Sequence, residues 1–171
     1  LVILAGLPRG GELSWKSLEN NVINHLNADL AICTENTIDE SLYIYKIADY
    51  LWLFEERHDW LEYYKEHYSN NSIEILKKGK GAGLWESGVI HFALKDFICK
   101  NYLEIIKEYK YIIYSRFDQF YTNIHPAFTG ENIWIPKGED YFGINDRHVV
   151  LSCSFIEDYL NICKFLDSIE I

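Results

Sequence analysis

Asp118 is the first residue whose setting suggests chemistry. It follows the apolar run Tyr111-Ile112-Ile113-Tyr114 and the polar step Ser115-Arg116-Phe117. A carboxylate just past a buried strand sits at the rim of a sheet. Mn2+ or Mg2+, which favour carboxylate and phosphate oxygen, can meet a substrate diphosphate there. The plainer reading is a strand-end Asp that closes a turn. A second polar cluster, Gly143-Ile144-Asn145-Asp146-Arg147-His148, offers Asp146 or His148 as a general base and Arg147 as a cation for a leaving phosphate. Its plainer reading is an Asn-Asp turn with a local ion pair. Just upstream, Lys137-Gly138-Glu139-Asp140 is either a surface turn or a place where a carboxylate meets an acceptor sugar.

The basic, glycine-rich Lys77-Lys78-Gly79-Lys80-Gly81-Ala82-Gly83 precedes a helical stretch and could bring backbone N–H groups to an anion. It has neither the G-x-x-x-x-G-K-[ST] nor the G-x-G-x-x-G pattern, so the kinase, P-loop ATPase and dinucleotide-dehydrogenase readings lose their signature. A basic surface loop is the competing reading.

These residues need a scaffold that brings loops together, and the periodicity supplies one. Leu1-Val2-Ile3-Leu4-Ala5 reads as a strand buried on both faces, ending in the loop Gly6-Leu7-Pro8-Arg9-Gly10-Gly11. Ser14 is placed to cap a helix running to about Leu26, with Trp15, Leu18, Val22, Ile23 and Leu26 on one face. Residues 28–33 read as the second strand, closing at Thr34-Glu35-Asn36; residues 40–68 are helical in period; residues 72–76 read as a short third strand. A long helix over 84–108, a strand over 109–114, a strand or edge segment at Ile133-Trp134-Ile135-Pro136 and a closing amphipathic helix over 154–169 complete the pattern. Alternating strands and helices predict one α/β domain over residues 1–171, with a mostly parallel sheet flanked by helices. Ligands of such sheets bind beyond the carboxyl ends of the strands, which selects the loops at 6–11, 34–36, 77–83 and 115–118.

Composition narrows the partners. With 26 acids against 16 bases the net charge is −10, which excludes a phosphate-tracking surface for polymeric nucleic acid. The aromatic share of 16% serves either a core of large rings or a surface that stacks sugars and bases. Cys33, Cys99, Cys153 and Cys163 lack metal-binding spacing and read as reduced thiols of a cytoplasmic protein, and no apolar run is long enough for a membrane span. Asn70-Asn71-Ser72 matches a glycosylation sequon, which in a cytoplasmic protein is a chance match.

Three segments taken in order carry a resemblance: Ala5-Gly6-Leu7-Pro8-Arg9 with Trp15 after it, Tyr111 through Tyr121, and Ile133 through Arg147. Together they resemble small GT-A glycosyltransferases of large DNA viruses, notably the chlorella-virus type, and of bacterial surface-polysaccharide clusters. The resemblance implies a GT-A fold, a UDP-sugar donor, a glycan acceptor and a Mn2+ or Mg2+ ion. Asp118 would match the last acid of the Asp-x-Asp metal motif, whose first acid is replaced here by Arg116. Gly6, Leu7, Pro8 and Arg9 would line the nucleotide, with Thr34 or Glu35 closing that pocket. Lys80, Ser115 and Arg116 would lie near the ribose or diphosphate. Asp146 and Arg147 would be catalytic, with Asp140 and His148 near the sugar or acceptor. Two alternatives stand beside this reading: a nucleotidyltransferase acting on sugar phosphates, and a carbohydrate-binding module without catalysis.

Overall fold

The computed structural model describes residues 1–78, 85–138 and 147–169. They divide into two compact units, one of Leu1–Glu55 and Glu104–Ile156, the other of Glu56–Leu103 and Glu157–Ile171. The protein is α/β, as its alternating pattern predicts.

The first unit holds a six-stranded mixed sheet in the order β3-β2-β1-β4-β6-β5. β1 (Val2–Ala5) lies parallel between β2 (Leu30–Glu35) and β4 (Tyr111–Ser115), and β3 (Tyr50–Phe54) adds a further parallel strand beyond β2. β6 (His148–Ser152) runs antiparallel to β4, and the two-residue β5 (Ile133–Trp134) runs antiparallel to β6. Every residue of β1 is buried, which is why its sequence reads as an unbroken apolar run instead of alternating.

A continuous helical run follows the first loop: α1 (Glu12–Leu18), a π-helical stretch (Glu19–Ile23) and α2 (Asn24–Leu26), closed by Asn27 in the left-handed region at φ 49°. It starts earlier than Ser14, with Gly11 at the cap, and the Ser14 hydroxyl turns back to the Gly10 carbonyl at 3.4 Å. Trp15, Leu18 and Val22 pack onto Val2, Leu4, Leu30, Ile32 and Ile113. Each such side chain contributes about 1.5–3 kcal/mol of burial.

Four stretches differ from the sequence reading. Residues 40–68 are not one helix: α3 is only Tyr43–Lys46, β3 follows, and α4 covers Leu61–His67. In β3 the outward residues are Leu51 and Leu53, so an edge strand with alternating burial carries no alternating polarity. Residues 72–76 are not a strand but lie within helix α5 (Asn70–Lys78), which buries Ser72, Ile73 and Leu76 on one face. A short apolar run does not discriminate strand from helix by period. β2 extends through Glu35, so Thr34 is an interior strand residue and not a loop residue. Residues 148–152, to which the sequence reading assigns no element, form β6, and the single helix expected over 154–169 is divided into a 3-10 turn at Cys153–Phe155 and helices over Ile156–Leu160 and Ile162–Ser168.

The second unit contains α4, α5, most of α6 (Trp85–Ile106) and α8 (Ile162–Ser168), with α7 (Ile156–Leu160) leading into it. Asp96 on α6 is only 1% exposed and is satisfied by the Tyr63 hydroxyl at 2.5 Å, the Tyr68 hydroxyl, and Lys100 Nζ at 2.7 Å. A carboxylate buried this deeply persists only with such a set of donors. These bonds fasten α4 to α6. Asp167 on α8 accepts from Ser69 Oγ at 2.5 Å and Ser72 Oγ at 2.8 Å, which fastens α5 to α8.

Among the described residues, no helix is long and apolar enough to cross a membrane.

Candidate functional site

The sheet order places a topological switch between β1 and β4. From β1 the chain moves to β2 on one side, whereas from β4 it moves to β5 and β6 on the other. Connections that leave in opposite directions open a crevice beyond the carboxyl ends of the two central strands, where ligands of such sheets bind. The loop after β1 and the residues after β4 meet there.

Gly10 makes that meeting possible. A Cβ on it would stand 2.7 Å from Asp118 Cα and 3.1 Å from the Phe117 carbonyl oxygen, and its φ of +88° favours glycine independently. The loop is held from below by buried Trp15, whose indole Nε1–H donates to the Arg9 carbonyl at 3.0 Å. Gly6, at φ +111°, turns the chain out of β1 while its N–H still bonds the Cys33 carbonyl at 2.9 Å. Leu7 and Arg9 are exposed on this loop and Pro8 is half-buried, so all three can face a ligand. Glu35 is partly exposed at the same edge.

Arg116 and Asp118 form a two-pronged ion pair, with Nε donating to Oδ1 at 2.9 Å and Nη2 to Oδ2 at 2.7 Å. Burial works against the Asp118 carboxylate, but the hydrogen bonds and charge of Arg116, together with the charge of Arg147, outweigh it and hold its pKa below the usual value. Arg147 precedes β6 at the same edge, its carbonyl 3.5 Å from Ser115 Oγ. Arg116 is thus the direct partner of Asp118.

A resident divalent ion fits this donor set poorly. Both Asp118 oxygens accept from Arg116, and the position of the expected first acid carries a positive charge instead. Among the described residues no group of three or more His, Cys, Asp or Glu gathers to hold a metal. Asp140, Asp146 and Lys80 lie outside the described residues.

Three other expected contacts are re-assigned. Thr34 is fully buried within β2 and does not line a nucleotide pocket. Ser115 is 1% exposed and His148 9% exposed, so neither reaches a diphosphate or an acceptor. They face each other across β4 and β6 and belong to a buried network beneath the crevice. Ser115 Oγ lies 3.0 Å from His148 Nδ1 and 2.9 Å from the Tyr121 hydroxyl, and His148 Nε2 lies 3.0 Å from His125 Nε2. The tautomers follow from the acceptors. His125 Nδ1, 3.1 Å from the Pro126 carbonyl, must carry a proton. Its Nε2 then accepts from His148 Nε2–H, and His148 Nδ1 accepts from a hydroxyl. Burial first, and the charge of His125 second, push His148 down to about 4. The sheet thus rests on a neutral histidine pair.

Tyr121 is also tied to the helical run, its N–H bonding Ser17 Oγ at 3.0 Å and its carbonyl accepting from Asn21 Nδ2 at 2.6 Å. His125 and Tyr121 escaped sequence reasoning because they lie in a stretch with no regular period. The Val149-Val150-Leu151 run beside His148 was the one available signal of a strand there.

The chain matches no protein-family model and no curated protein.

The arrangement has three of the chain's four arginines, Arg9, Arg116 and Arg147, on the carboxyl edge of the sheet. The same edge carries Glu35 and Asp118, the latter paired with Arg116. A surface hollow at the opposite end of β4 and β6 is lined by Lys110, Tyr111, Glu131, Ser152 and Cys153. It has neither arginine nor a switch point.

Proposed function

We propose that this chain is a glycosyltransferase of the GT-A type, binding a nucleoside diphosphate-sugar, with a UDP-sugar as the first candidate, and passing the sugar to a glycan acceptor. The observation that carries the reading is the meeting of the loop after β1 with the Arg116–Asp118 pair at the switch between β1 and β4, on the edge that bears three of the four arginines. Cationic donors suit a diphosphate, and the loop with exposed Leu7 and Arg9 and half-buried Pro8 offers an apolar and polar wall for a base and ribose.

In the transfer, the acceptor oxygen bonds to the anomeric carbon as the bond from that carbon to the β-phosphate oxygen breaks. The electron pair stays on the departing diphosphate, and the hydroxyl proton goes to a base, which the resemblance assigns to Asp146. Arg147 and Arg116 would stabilise the negative charge that grows on the leaving group.

The test is a melting experiment with UDP, GDP, CMP, ATP and UDP-glucose, followed by assay of UDP release from UDP-sugars with glycan acceptors. A ligand at about 100 times its Kd stabilises the fold by about 2.7 kcal/mol. UDP and a UDP-sugar are expected to raise the Tm most. If none of the nucleotides shifts the Tm, the glycosyltransferase reading falls and a carbohydrate-binding module takes its place.

A further inference from the structure

We propose that the donor diphosphate is held by arginine instead of a divalent ion, with Arg116 and Arg147 as its cations and Asp118 as the residue that positions Arg116. The inference rests on the glycosyltransferase reading and specifies how its site handles charge.

Three observations converge. The Arg116 side chain replaces the first carboxylate of the expected metal motif with a permanent positive charge. Its two-pronged pair with Asp118 uses both carboxylate oxygens, so a metal entering at Asp118 would have to displace a guanidinium and then sit beside it. Arg147 stands immediately before β6 on the same edge, its backbone carbonyl 3.5 Å from Ser115 Oγ, and is the second cation there. Two guanidinium groups repel a divalent ion and attract a diphosphate.

The pair is built for that use. A guanidinium has five N–H bonds. Asp118 engages one on Nε and one on Nη2, which leaves three for phosphate oxygens. Both side chains are about one-third exposed, at 34% for Arg116 and 33% for Asp118, so solvent and ligand reach them. Held by Asp118, the planar group has lost its rotational freedom before the ligand arrives, which favours bidentate recognition of phosphate. Asp118 itself would repel a diphosphate if it were not neutralised by this contact. The residue expected to be a metal ligand thus becomes the anchor of the phosphate-binding cation.

The experiment is calorimetric titration of UDP into the full chain, once with a chelator and once with Mn2+, for wild type, Arg116→Gln, Arg147→Gln and Asp118→Asn. Melting of each variant without ligand reports folding, and if one arginine variant does not fold the other carries the test. The expected result is UDP binding in chelator with a Kd that Mn2+ leaves unchanged. Each arginine variant should bind at least about tenfold more weakly in both conditions, as loss of a charge-assisted hydrogen bond implies. Asp118→Asn, which leaves Arg116 a single acceptor, should weaken binding less than either arginine variant does and leave it independent of Mn2+. Arg116→Lys should fail to restore wild-type affinity, because an ammonium cannot grip carboxylate and phosphate together.

The opposite pattern overturns the inference alone. There UDP binds only with Mn2+, Asp118→Asn abolishes binding, and Arg116→Gln binds as well as wild type or better because it frees the carboxylate for the ion. The glycosyltransferase reading survives that result. No binding of UDP or UDP-glucose in either condition removes both together.

Discussion

A methyl group on Gly10 would enter the space of the Asp118 backbone at 2.7 Å, and no side-chain rotation relieves a clash with a main-chain atom. Gly10→Ala should lower stability by about 1–3 kcal/mol in urea unfolding, from left-handed strain plus displacement of the 117–118 backbone. It should also weaken nucleotide binding; an alanine variant as stable as wild type would show that the two loops do not touch. His148 makes a pH prediction. Its folded pKa, about 4, lies below the ordinary 6.5, so between these values the unfolded chain binds a proton that the folded chain refuses. Its contribution is complete above pH 6.5, declines as pH falls, and is lost below about 4, a total of about 3 kcal/mol. The stability slope across that window should flatten in His148→Asn, and an unchanged slope would contradict the neutral pair. At this scale the site was partly legible in the sequence. The chemistry-bearing types at Arg9, Arg116, Asp118 and Arg147 were visible, but the pairing of Arg116 with Asp118 and the burial of Ser115 and His148 were not. The burial depends on a cross-strand neighbour far along the chain, and the pairing on the side-chain geometry of the turn after β4.

Trp15 links an element to the site. Its ring belongs to the packed face of α1, and its indole N–H secures the Arg9 carbonyl at 3.0 Å. Trp15→Phe keeps most of the buried area and deletes that bond, so it should cost about 1 kcal/mol of stability and loosen the loop that bears Arg9. Exchange of the amide hydrogens of residues 6–11 would report the loosening, and unchanged protection would place the anchor elsewhere. Elements with strong local signals were legible: β1 and β4 as apolar runs, the Trp15–Leu26 face as a helical stripe, and α6 as a long helix. Elements whose identity is decided by position in the sheet or by packing were not. β3 is an edge strand with leucines outward, α5 is a short apolar run turned helical by its buried Ser72, Ile73 and Leu76, and β6 follows a polar cluster that reads as loop. In each case the tertiary surroundings override a weak local preference.

Charge sets the problem for the whole molecule. A protein of net charge −10 places three of its four arginines on one edge of one sheet, the edge where the proposed anionic donor would bind against the field of the whole chain. Length, composition and alternation were sufficient to read an α/β protein. The mixed sheet order and its switch between β1 and β4 emerged only from the strand pairing.

The central claim is that a nucleoside diphosphate binds in that crevice. It is tested most directly by recording amide NMR shifts of the full chain during titration with UDP. Shifts concentrated in residues 6–11, at 115–118 and at Arg147 are expected, with Lys110, Tyr111, Ser152 and Cys153 at the opposite edge unmoved. Saturable shifts confined to that opposite edge, or no saturable shift anywhere, would contradict the account.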